Sequence, residues 1–103
     1  RDFIYIDDLV DAVIKSLSVE GIGGQIFQIA THKETTIEEI TLNLSNLMSE
    51  MANIKVKIEK TSKRQGDVNR NYSSIDKAKR LLNWEPQVTL LEGLKETIRW
   101  FLA

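Results

Sequence analysis

No cysteine occurs among the 103 residues. That excludes a disulfide framework, a thiol nucleophile and any cysteine-built zinc site. Histidine is nearly absent too: His32 stands alone, which excludes a multi-histidine metal centre. No apolar run comes near the roughly 18 residues needed to span a bilayer. An excess of one charge sign is also lacking, since 15 acidic residues face 14 basic ones. Together with 42% hydrophobic residues, this balance excludes a generally basic nucleic-acid binder, an acidic tail and a disordered segment. What remains is one soluble, cytoplasmic α/β unit, because 103 residues are too few for two domains of the usual size.

The chain opens directly on a strand-like run at Arg1, with no looser lead-in, which predicts a piece of a longer polypeptide. Phe3–Ile6 reads as a short strand, and Asp7 and Asp8 suit the positive N-terminal end of the helix that follows. Leu9, Val13 and Leu17, with Val10 and Ile14 beside them, give that helix a broad apolar stripe. Gly21–Gly24 ends it, and Gln25–Ala30 reads as a mostly buried strand. Thr36-Ile37-Glu38-Glu39 fits a capping box, opening the longest helix, whose apolar positions run from Ile37 to Met51. Ile54, Val56 and Ile58 then alternate with charged residues, the period of a half-buried strand.

Thr61–Asn71 holds no apolar residue except Val68, a polar loop long enough to suggest a role of its own. Ser74 can cap a short helix, which Asn83 and Pro86 terminate. Thr89 and Glu92 form a second capping box, before a last helix with Leu91, Leu94, Ile98 and Phe101 facing inward and Trp100 alongside. The predicted order is β-α-β-α-β-loop-α-α.

Charge is unevenly spread. Lys55–Arg70 carries six basic side chains against two acidic ones, whereas residues 1–20 carry two against five. In the loop, Arg64-Gln65-Gly66-Asp67 places an arginine beside a glycine that allows a tight turn, a pattern suited to phosphate. An ordinary solvated loop fits the same residues. Arg1 and Asp2 could pair, bind an anion or face water. His32 has no companion ligands for a metal. Met48 and Met51 read as core filling, and Trp84 and Trp100 as core or partner-facing aromatics. Gly21-Ile22-Gly23-Gly24 precedes a strand instead of following one and is a turn, not a dinucleotide loop. Neither Tyr5 nor Tyr72 has a lysine four positions on. The residues alone offer a candidate anion site, with the solvated loop as its alternative, and no catalytic machinery.

Four stretches, taken in order, resemble the C-terminal, substrate-binding portion of the extended short-chain dehydrogenase/reductases. Within these the likeness is to the NAD-dependent sugar-nucleotide epimerases and dehydratases, with UDP-glucose 4-epimerases as the type. The stretches are Arg1–Asp8, Ile26–Thr31, Arg64–Asp67, and Ser74–Ala78 through Leu82–Pro86. Gln28, Ala30, His32 and Asn83 depart from the family pattern; Asn83 costs little because Asn tolerates left-handed geometry.

The resemblance implies that Arg1 and Arg64 contact the diphosphate of a UDP- or dTDP-sugar, and that Asp67 lies near its ribose. It also implies that NAD and the catalytic tyrosine–lysine pair belong to an N-terminal Rossmann half absent from these residues, so that the chain is not catalytic by itself. That half would then be its partner. A homodimeric parent is one arrangement, as family members often dimerise through helices of that half. The rival reading is a stand-alone, non-catalytic module whose basic loop binds an acidic partner or nucleic acid.

Overall fold

The computed structural model describes all 103 residues and contains four helices. They are α1 (Ile6–Ser18), α2 (Ile37–Ala52), α3 (Asp76–Leu82) and α4 (Leu90–Leu102). Local chemistry explains their ends. The Thr36 hydroxyl accepts the Glu39 N–H at 3.0 Å to start α2. Asn53, at φ 53°, closes it in left-handed geometry. Asn83 ends α3 the same way, at φ 50°. Thr89 and Glu92 form the complete box expected at α4, with the Glu92 N–H on the Thr89 hydroxyl and the Thr89 N–H on the Glu92 carboxylate. Those bonds from Thr89 hold the Glu92 carboxyl below its ordinary titration range.

The three expected strands do not form. Residues 3–6, 25–30 and 54–58 belong to no strand, so the β-α-β-α-β pattern does not describe this chain. A strand exists only with a partner for its backbone, and alternation in sequence reports which side chains seek burial, not which backbone is nearby. The one reciprocal backbone pair between distant segments is Arg1 with Thr35, each donating to the other at 2.8 Å, and no second rung follows. Ile54, Val56 and Ile58 stay exposed, and in 25–30 only Ala30 is buried.

The helices pack in two pairs, α1 on α3 and α2 on α4. Around the first pair lie Ala12, Ala30, Ile75, Ala78, Leu82 and Trp84, the last only 1% exposed. Around the second lie Leu47, Leu94 and Ile98, flanked by Ile40, Leu44 and Met48. Apolar positions on two helices lie outside the core, although Leu94 and Ile98 of α4 are buried as expected. The α1 stripe (Leu9, Val10, Val13, Ile14, Leu17) points away from the chain's own core, which α1 meets through Asp8 and Ala12. On α4, Leu91 and Phe101 are exposed along with Trp100. The molecule is a slab of 50 × 35 × 16 Å with a radius of gyration of 16.5 Å, against about 13 Å for a compact chain of this length.

Candidate functional site

The polar loop is shaped at its centre by a four-residue turn. The Asp67 N–H donates to the Arg64 carbonyl at 3.3 Å, and Gly66 sits at φ 81°. That left-handed position is the reason glycine stands there. The Arg64 side chain enters no hydrogen bond or ion pair with the rest of the chain, so its guanidinium donors are free.

Arg1 meets this turn from the other end of the sequence. One terminal nitrogen of its guanidinium donates to Asp67 Oδ1 and the other to the Val68 carbonyl. The Arg1 backbone is itself held on both sides by Thr35. The three residues singled out in sequence therefore converge: Arg1 through its side chain, Arg64 through its carbonyl, and Asp67 touching both. The pairing is solvent-exposed at 31% for Arg1 and 44% for Asp67, where ions exchange readily with a ligand or water.

Two fastenings hold the loop's far limb. Asp2 collects the Thr31 N–H at 2.8 Å, the Thr31 hydroxyl at 2.5 Å, the His32 N–H at 3.0 Å and the Ser73 N–H at 3.5 Å. His32 Nδ1 lies 2.9 Å from the Ser73 carbonyl, which can only accept, so Nδ1 carries the proton. Its ring tilts against Tyr72, centroids 5.8 Å apart. Arg70 then forks onto Glu34, Nε to Oε1 at 2.7 Å and Nη2 to Oε2 at 2.6 Å. The hydrogen bond from Arg70 lowers the Glu34 carboxyl below its ordinary range, and Glu34 in turn raises Arg70.

Asp2, Glu34 and Arg70 escaped the sequence reading as a connected set. Their partners lie 29 to 71 positions away, and no local pattern announces such pairs.

The assembled residues bring cations and backbone donors together, with no paired carboxylates and no base beside a nucleophile. They can hold an anion. They do not enclose one: a cleft of about 120 Å³ lined by Phe3, Thr31, Lys33, Thr35 and Pro86–Leu90 includes none of Arg1, Arg64 and Asp67. A drug-sized ligand needs roughly 300 Å³ or more. A larger cleft, about 770 Å³ between α2 and residues 58–61, likewise contains none of the three.

The family described as GDP-mannose 4,6 dehydratase matches residues 1–97. A UDP-glucuronate 4-epimerase of Thermodesulfobacterium geofontis is 38% identical over 101 residues, 97% of this chain but 29% of its own length. The crystal structure of a UDP-glucose 4-epimerase from Thermotoga maritima with UDP-glucose superposes with a TM-score of 0.83 at 33% identity, covering 99% of this chain and 31% of that one. The Bordetella bronchiseptica enzyme WbmF, in complex with NAD⁺ and UDP, gives 0.76 at 28% identity, over 99% of this chain and 28% of that one. This chain thus spans about three-tenths of the length of the proteins it matches.

Proposed function

The chain belongs to the GDP-mannose 4,6 dehydratase family, within the extended short-chain dehydrogenase/reductases, and from that premise we propose that it is the nucleotide-sugar-binding portion of an NAD-dependent sugar-nucleotide epimerase or dehydratase. The observation that carries this reading is the turn Arg64–Asp67 tied to Arg1. The turn that carries Arg64 is held by the Arg1 guanidinium, so two arginines distant in sequence belong to one exposed turn, and planar guanidinium forks match paired phosphate oxygens. Arg64 supplies unengaged donors. Arg1 keeps Nε and one N–H on each terminal nitrogen for the same diphosphate. Asp67 has a second oxygen with which to accept a ribose hydroxyl.

In this reading the chemistry at the sugar lies outside these residues. NAD supplies hydride transfer when bound, and the residues present do not fit it. Gly21 and Gly24 take positive φ in a turn after α1, not at a helix start where a pyrophosphate would sit. The outward apolar stripe of α1, the unpaired 54–58 segment and the flat shape supply the faces on which a Rossmann half would close. That closure would supply the walls that the exposed Arg1–Asp67 turn lacks.

Arg64→Ala in the full native polypeptide tests the reading. Loss of charged hydrogen bonds should raise the KM for a UDP- or dTDP-sugar by roughly ten- to a hundredfold. Thermal stability should barely change, because the residue is exposed. An unchanged KM overturns the assignment. Tight, salt-sensitive binding of nucleic acid with no preference for nucleoside diphosphates would move the basic loop to the rival class.

A further inference from the structure

Residues 61–73 contain no apolar side chain but Val68 and Tyr72, both exposed. Burial therefore cannot fix where this loop lies. Its position depends on polar fastenings, and the Arg70–Glu34 fork is the most strictly oriented of them, since two parallel bonds set angle as well as distance. Glu34 directly precedes Thr35, the residue that pins the Arg1 backbone. Arg1 then holds Asp67 and Val68. A closed circuit results: Arg70 to Glu34, along the backbone to Thr35, across to Arg1, on to Val68, and back along the loop to Arg70.

We propose that Glu34 and Arg70 are positioning residues that fix the separation of the two diphosphate-binding arginines, Arg1 and Arg64, without touching the ligand. The inference rests on the nucleotide-sugar reading above and deepens it. Arg1 closes this circuit and the turn carrying Arg64 is attached to it at Asp67, so opening the Glu34 link lets that turn drift relative to the Arg1 backbone. A diphosphate bridging the two arms then loses the alignment that makes forked contacts strong. The alternative role for Arg70, a third phosphate ligand restrained by Glu34, predicts the opposite sign: removing the Glu34 charge would free a cation and tighten binding.

The experiment is calorimetric titration of UDP, repeated with dTDP, into the full native polypeptide. Glu34→Gln and Arg70→Gln should each weaken binding by about fivefold, the upper range for an exposed pair. The double variant should be no worse than either single one. The exchanged pair, Glu34→Arg with Arg70→Glu, should recover most of the affinity, which a loss of general stability would not do. Glu34→Asp, which keeps the charge but shortens the arm, should fall between. KM should rise while kcat holds. Unchanged or tighter binding in Glu34→Gln overturns the proposal. Arg64→Ala run alongside separates the two claims. A loss there with no effect of Glu34→Gln overturns the positioning pair alone, and no loss there overturns the site reading and the pair with it.

Discussion

Asp8 and Asp67 both accept hydrogen bonds from residues more than sixty positions away, but they do so in opposite surroundings. Asp8 is 4% exposed; its carboxylate takes the Gln87 N–H at 2.9 Å and the Val88 N–H at 3.0 Å. Its carbonyl takes the buried Trp84 indole N–H at 3.0 Å. Asp67 is exposed and holds the charged side chain of Arg1. The first arrangement satisfies donors that have nowhere else to go, so breaking it exposes the full desolvation penalty. The second can be traded for water or for a ligand oxygen at small cost. Buried backbone donors make a hinge pin; exposed ion pairs make an adjustable grip. One protein uses the former to join α1 to the segment between α3 and α4, and the latter to shape its Arg64–Asp67 turn.

The sharpest way to break this contrast is to attack the pin. Trp84→Ala should remove about 3–5 kcal/mol of stability, and Asp8→Ala about 2–5 kcal/mol through the two stranded N–H groups, both read by chemical denaturation. If either variant unfolds at the wild-type midpoint, the pin is not what anchors α1 to residues 84–88. Gly66→Ala probes the grip. A Cβ there meets nothing within 4 Å, so only the left-handed backbone resists it, at roughly 1 kcal/mol. That strain should appear as about a fivefold loss of UDP affinity with the denaturation midpoint almost unmoved, whereas an equal loss of global stability would make the turn part of the core.

The smallest effect is in titration. The hydrogen bond from Arg70 lowers Glu34 below its usual value of 4.5, so the fork's contribution is complete above that value and disappears as pH falls through the depressed one. The Glu34 carboxyl resonance should therefore move at lower pH than those of unpaired glutamates, and return to the ordinary range in Arg70→Gln. A resonance that titrates normally in the wild type would dissolve the fork.

What was legible in the sequence follows the same division. Thr36, Asn83 and the Thr89–Glu92 box announce helix ends because their partners sit within three or four residues. The turn at Arg64–Asp67 was visible because glycine marks the one position with positive φ. The sheet was misread, since Ile54, Val56 and Ile58 alternate as a strand would yet find no neighbour in this chain. The α1 stripe is legible as apolar but not in its direction, away from the chain's own core, because periodicity gives a face without saying what it faces. The convergence of Arg1 on Asp67, and of Arg70 on Glu34, depends on tertiary placement that no window of sequence contains.

The Asp8 pin also has a consequence for synthesis. Its acceptors are made first, and their donors follow 79 and 80 residues later. At about 5–20 residues per second, a ribosome leaves that carboxylate without its partners for several seconds. Until Val88 emerges, α1 can be helical but not anchored, with its apolar stripe open to whatever surface is nearest. The final placement of α1 is thus decided by residues made some eighty positions after it.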